Sequence, residues 1–383
     1  MEQNTMLDYA TLRVIWWMLL GLLLIGFAIM DGYDLGSAML IPFVGRSDTE
    51  RRVVLNAIGP YWEGNQVWFI LGGGSIFAAW PILYAVSFSG FYLVMFVLLC
   101  TFIIRPVGIK YRSKMPQAIW RSTCDWLLSS AAFVGAMIFG VAVGNVILGV
   151  PFHFNPDLRV FYTGTFWALL NPFALLCGLV SVTMIIMQGG YYLATKTEAP
   201  LRQRALNAAR LMSLLVVLLF AAGGFWVSHL DGYTVISSMG SEGPSNPLNK
   251  VVELHPGAWL KNYIALPWTL LAPILGFTGA LFAPLLAGFW RTKLSLVFSS
   301  LSIFGIISTV GVSLFPFILP SSSTPQASLL VWDASSSQLT LAIMLGATAI
   351  FLPIIIAYTA WVLRVMRGTV TVEQIEREDK TSY

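Results

Sequence analysis

"VWFILGGGSIFAAWPILYAVSFSGFYLVMFVLLCTFII" occupies residues 67–104 and contains no charged side chain. A helix needs about 20 apolar residues to cross a bilayer, so the run is too long for one crossing. Pro81 lacks an amide donor and interrupts any helix that reaches it, which divides the run into segments 66–80 and 82–104, the first of them short. Read as two crossings, the run gives a chain of nine membrane segments; read as one, eight.

The remaining sequence has the same character. Of 383 residues, 57% are hydrophobic and 10% charged, where a soluble domain carries about a quarter charged. Further apolar runs cover about 10–31, 125–149, 162–187, 205–228, 264–289, 295–318 and 338–364. Alternating strands of the kind that build a membrane barrel are absent. The sequence therefore predicts an all-α polytopic membrane protein, with residues 1–383 forming one integral domain. The net charge of +4 calls for no nucleic acid, because the basic residues cluster at the ends of apolar runs. Three cysteines make no disulfide framework. The first run ends without a small-x-small cleavage site and reads as a retained helix.

Charge asymmetry orients the segments. Arg46, Arg51 and Arg52 follow the first; Arg105, Lys110, Arg112, Lys114 and Arg121 follow the third. Lys196, Arg202, Arg204 and Arg210 lie near 188–210, and Arg291 with Lys293 follows residue 289. The intervening connections hold few cations. Lys and Arg accumulate on the cytoplasmic side, so nine segments place the N-terminus in the periplasm and the C-terminus in the cytoplasm. Residues 229–263 then form a periplasmic loop and residues 365–383 a cytoplasmic tail. Trp16 and Trp17, with Trp259 or Trp332, suit an aromatic belt at the outer interface.

Several polar residues stand where hydrocarbon is expected. Glu63, in "GPYWEGNQVWF" (59–69), opens the second segment. It reads either as a carboxylate complementing a positive helix end or as a proton carrier whose desolvation favours the neutral form. Asp31 and Asp34, in "MDGYDLG", close the first segment, at a helix end where negative charge is unfavourable. They need a compensating cation, with Arg105 or the Arg51–Arg52 pair as candidates, or they belong to a proton or ion path. Asp333 reads as a helix N-cap and Asp231-Gly232 as a turn. His153, His229 and His255 all fall in outer connections, none at ligand spacing with a second His or Cys. A haem needs an axial His, Met or Cys, so redox chemistry is expected to reside in another chain. "LGGGSIF" (71–77) lies inside a segment, where small residues allow close helix packing.

Seven ordered stretches carry a resemblance: "LRVIWWMLLGLLLIGFAIMDGYDLG", "ERRVVLNAIGPYWEGNQVWFILGGGSIFAAWP", "SGFYLVM", "RPVGIKYRSK", "SNPLNK", "FPFILPSSS" and "WDASSSQLTL". Over nearly its full length the chain resembles subunit II of the cytochrome bd quinol oxidases. The resemblance implies nine membrane helices, arranged as two four-helix bundles plus a peripheral helix, in a bacterial inner membrane. It implies a haem-bearing subunit I as partner, holding two b-type haems and one d-type haem and the quinol-oxidising loop. Small single-helix subunits join some members, and some bind a structural quinone in subunit II. The implied activity is oxidation of quinol and reduction of dioxygen to water, with a proton motive force built without pumping. This subunit would support assembly of its partner and supply a cytoplasmic proton route. By motif position the family's proton-path acids fall on Asp31 and Glu63, with Trp62 alongside; Tyr383 matches a terminal tyrosine of the same region. A low-dielectric wall would keep Glu63 partly protonated, and Asn65 or Gln66 would orient it or a water. Three positions depart from the family pattern: Glu63 for a common Asp, Tyr61 for a common His, and Lys110 where an acid is usual, putting a cation at the proton mouth. The competing readings are a proton- or cation-coupled secondary transporter and a purely structural scaffold.

Overall fold

The first helix, α1 (Tyr9–Val44), begins where the Asp8 carboxylate accepts a 3.0 Å bond from the Thr11 amide, satisfying a donor that the helix leaves free. The computed structural model describes residues 7–238, 240–288 and 291–377. Helix α1 does not end at Asp31, where its apolar run stops; it continues through Gly32 and Gly36 to Val44. Asp31 and Asp34 are therefore interior to a helix, because partners on other elements take up their polarity.

A short helix, α2 (Asp48–Ile58), follows, opened by a Ser47–Glu50 capping box. α3 (Trp62–Asn65) and α4 (Val67–Ala79) continue one another, rising about 27 Å at helical pitch. The chain then bends by 118° at Pro81 into α5 (Pro81–Gly90), and α6 (Tyr92–Tyr111) runs back. The expected segment 82–104 is thus corrected. Its first part is a separate helix lying against Tyr162, and the crossing helix starts only at Tyr92. α7 (Ala118–Leu148), α8 (Pro172–Lys196), α9 (Leu201–His229), the short α10 (Lys261–Ala265), α11 (Leu271–Gly288), α12 (Thr292–Leu314), α13 (Gln338–Val365) and α14 (Val372–Arg377) complete the helices. The expected segment 162–187 shifts as well. The Asn171 side chain caps α8 through the Ala174 amide at 2.8 Å, and Pro172 occupies the first turn. Among the described residues eight helices are long and apolar enough to cross a membrane, and the bent pair, taken as one span, makes a ninth.

α1, α4, α6 and α7 pack as one four-helix group and α8, α9, α11 and α12 as a second, while α13 lies at the periphery along α1. The groups meet where α1 crosses α8. A Cβ added at Gly36 would stand 2.0 Å from the Ile185 carbonyl oxygen, and one at Gly189 would stand 2.3 Å from the Gly36 carbonyl carbon. No side chain fits between these backbones, so both positions require glycine. The glycines of α4 behave otherwise: an added Cβ at Gly72 would meet Leu24 at an ordinary 3.7 Å, and one at Gly73 or Gly74 would have nothing within 4 Å, so none of the three needs to be glycine for packing among the described residues.

Three antiparallel hairpins gather at the end where α1 starts. β1 (Phe152–Phe154) pairs with β2 (Val160–Tyr162), β3 (Asp231–Ser238) with β4 (Lys250–Pro256), and β5 (Phe317–Leu319) with β6 (Leu329–Leu330). Asp231-Gly232 is thus the start of a strand and not a turn. Trp16 and Trp259 are buried beneath these hairpins, so they fill a protein core and do not form an interfacial belt. Arg13, also fully buried, donates to the Ser241 and Gly243 carbonyls and to Ser335 and Ser245 at 2.6–3.0 Å. Asp333 caps no long helix. Its carboxylate accepts the Leu330 amide at 2.8 Å and the Lys250 ammonium at 2.6 Å, and Ser337 caps α13 instead.

At the opposite end α2 ties the two groups together. Asp48 accepts from Arg112 and Arg121, Arg51 donates to Asp125, Glu50 accepts from Arg204, and the Ala57 carbonyl accepts from Tyr192. Burial raises the Glu50 pKa, but the Arg204 bond and the Arg46 and Ser47 amides outweigh it and hold the carboxyl below its ordinary 4.5. A depressed carboxyl contributes stability that is complete above that value and lost as pH falls through the folded-state pKa.

Two outcomes are expected. Gly36→Val should lower the unfolding free energy of the detergent-solubilised chain by about 2 kcal/mol or more, while Gly74→Ala should change it by less than about 0.5 kcal/mol. Thermal unfolding followed by circular dichroism checks both. The same assay below pH 4.5 should show a smaller acid-side loss of stability for Glu50→Gln than for the wild type.

Candidate functional site

Inside α1, one turn before the α8 crossing, two carboxylates are shut away from solvent. Asp31 and Asp34 are fully buried. Arg105, buried on α6, reaches Asp31 with both terminal nitrogens at 2.9 and 2.8 Å, the bidentate geometry that a guanidinium makes best. Of the two candidate counter-ions, Arg105 is the one used. Arg51 turns instead to Asp125, which it shares with Arg112.

Asp34 has a different environment. The Asn65 amide nitrogen donates to Asp34 Oδ2 at 2.7 Å, to the Tyr33 hydroxyl at 2.7 Å and to the Met30 carbonyl at 3.2 Å. Asp34 Oδ1 has no hydrogen-bond partner among the described residues. Asn65 therefore faces the buried acid and not Glu63, which corrects the expectation that it orients Glu63. An aromatic layer closes over the cluster. Tyr33 stacks on Tyr192 with ring centroids 4.2 Å apart, and Tyr61 meets both edge-on at 6.3 and 6.4 Å. The Tyr61 hydroxyl donates to the Met366 carbonyl and accepts from Lys196, and burial pushes its pKa up to about 12.

Glu63 lies further out on α3. Its side chain is 62% exposed and paired with Lys110, itself 44% exposed. The low-dielectric wall expected around Glu63 is not formed by the described residues, because Glu63 lies on the exposed side of α3, away from the buried Trp62 and Asn65. Lys110 does not stand as an uncompensated cation at the mouth; it is the counter-ion of Glu63, and its ammonium also sits 5.5 Å from the Trp62 ring centre. Trp62 is buried. The structure thus brings Asp31, Asp34, Asn65 and Arg105 together, with Trp62 and Glu63 on the adjoining short helix. Tyr383 lies outside the described residues.

Reading the sequence missed the pair of arginines on Asp125 and the buried Arg13. The signal for the first was an acid in the opening turns of a membrane segment, directly after a basic loop. Among the described residues no group of three or more His, Cys, Asp or Glu is placed to hold a metal ion. His229 and His255 bond or pair within their own surface segments, and His153 stacks on Phe161.

The comparisons agree with this architecture. The family model for cytochrome bd terminal oxidase subunit II matches residues 12–366. The cytochrome bd-I ubiquinol oxidase subunit 2 of Escherichia coli K12 is 48% identical, over 99% of this chain and 100% of its own. The probable cytochrome oxidase subunit 2 of Haemophilus influenzae is 44% identical over 99% and 100%, and the Bacillus subtilis cytochrome bd ubiquinol oxidase subunit 2 is 27% identical over 94% and 98%. The fold is also that of a chain in the bd oxidase of Geobacillus thermodenitrificans, with a TM-score of 0.67 over 93% of this chain and 98% of that one, at 15% identity. A bundle of apolar helices matched from end to end by these relatives places the chain in a bacterial inner membrane, and it belongs to the family of cytochrome bd terminal oxidase subunit II.

Proposed function

We propose that this chain supports the assembly and stability of a haem-bearing subunit I and supplies that oxidase with a proton route from the cytoplasm. The observation that carries the reading is a buried, partly uncompensated acid cluster lying directly inside a surface ion pair. Asp31 and Asp34 form the inner part, and Glu63 with Lys110 the outer part. Basic connections gather at this end of the bundle, which favours the cytoplasmic side for it. Quinol oxidation and dioxygen reduction belong to the haems and quinol site of subunit I, as the family resemblance implies. Quinol as electron donor follows the ubiquinol named for the Escherichia coli and Bacillus subtilis relatives. A structural quinone and small single-helix subunits remain part of the same reading, as the family resemblance implies them. With protons taken from one side for oxygen reduction and released on the other by quinol, charge separation builds the proton motive force without pumping.

A scaffold role has its own observation, the bidentate Arg105–Asp31 pair. Breaking a buried pair leaves an uncompensated charge and costs about 3–5 kcal/mol. The two roles are compatible and meet at Asp31.

Glu63→Gln should leave the complex assembled, with full haem spectra, and slow quinol-driven oxygen uptake by roughly a hundredfold, the low end of what a positioned proton-transfer group contributes. Full activity would reduce Glu63 to a surface charge. Asp31→Asn should instead lower the yield of haem-loaded complex, seen in reduced-minus-oxidised spectra of membranes. Joint replacement of Asp31 and Arg105 by leucine should restore part of that yield, since apolar replacement of a whole buried pair is often neutral.

A further inference from the structure

The cluster holds two carboxylates and one guanidinium, and the geometry divides them unequally. Both terminal nitrogens of Arg105 are engaged by Asp31. Asp34, equally buried, receives a neutral amide on Oδ2 and nothing on Oδ1 among the described residues. The groups facing it are Asp31 and Tyr33 on its own helix, Arg105 from α6, Tyr61 and Asn65 beside and on α3, and Tyr192 from α8. Two other cations at this end are engaged elsewhere: Lys196 on Tyr61 and the Met366 carbonyl, and Lys110 on Glu63. If both acids were ionised, the cluster would carry one net negative charge, which burial in a low-dielectric bundle strongly disfavours. A single proton makes the cluster neutral.

We infer that the exchangeable proton of this site resides on Asp34 Oδ1, that Asp31 is the permanent counter-ion of Arg105, and that Asn65 is the positioning residue that selects between them. By donating to Oδ2, Asn65 makes that oxygen the carbonyl of a neutral acid and leaves Oδ1 to carry the hydrogen. It also joins α1 to the helix that bears Glu63, so the proton-holding group is fixed relative to the surface pair. The inference rests on the proposed proton route for its functional meaning but not for its physical content, which is the protonation state of one carboxyl group.

Infrared difference spectra of the purified oxidase complex test it, with the protonated-carboxyl stretch identified by its downshift in heavy water. The wild type should show this band, Asp34→Asn should lose it, and Asp34→Glu should retain it at a shifted position. In Asn65→Ser, which keeps both acids should Asp34→Asn fail to assemble, the band should move to higher frequency as its hydrogen bond is lost. A spectrum of Asp34→Asn that keeps the protonated band and loses carboxylate intensity would overturn the assignment, as would an unshifted band in Asn65→Ser. Oxygen uptake by the same samples separates the two ideas. A lost band with full turnover supports the protonation state and removes the route through Asp34. Slow turnover with an unchanged band keeps the route and overturns the assignment.

Discussion

The Arg105–Asp31 pair is the constraint around which this bundle is arranged. A carboxylate cannot sit unpaired among apolar helices, and a guanidinium at the same depth needs an acceptor for its fork. Each makes the other tolerable. The pair lets α1 run on past the end of its apolar segment, fastens α6 to α1, and leaves Asp34 with no cation bonded to it among the described residues. Asn65 then becomes necessary, since a buried acid with no donor at all would carry a larger desolvation penalty.

A second constraint fixes the two helix groups relative to each other. Gly36 and Gly189 let α1 and α8 touch backbone to backbone, and this contact lies within a turn of the acid cluster. The stacking of Tyr33 on Tyr192 follows from it, because both rings project from the crossing helices. At the membrane surface α2 adds an ionic strap through Asp48, Glu50 and Arg51. Packing and charge therefore converge on one end of the molecule, while the hairpin end is held by buried tryptophans and Arg13. α9 and α13 present largely apolar, exposed side chains, as a surface bathed in hydrocarbon should.

For an oxidase subunit, this concentration of polar structure is informative. Scaffolding alone would be served by apolar packing, which is often as stable as a buried ion pair. The asymmetry between Asp31, fully paired, and Asp34, half paired, is what a scaffold does not require. It is the feature on which the proposed proton route rests.

The sequence by itself determined the membrane character, a count of eight or nine segments, the grouping of cations between alternate segments and the family. These depend on composition and local order, which hydrophobicity and charge report directly. It also singled out Asp31, Asp34, Glu63 and Arg105, because ionisable residues in apolar runs are conspicuous. What it misjudged depended on contacts between distant segments. The end of α1, the orientation of Asn65, the exposure of Glu63, the burial of Trp16 and Trp259 and the partner of Asp333 were all decided by neighbours tens to hundreds of positions away. Periodicity and caps could not foresee that Arg105 would permit a helix to continue through an aspartate, because the neutralising charge comes from another helix. Tertiary structure alone decided which acid is paired and which is not, since that follows from where one guanidinium is brought by the packing of the whole bundle.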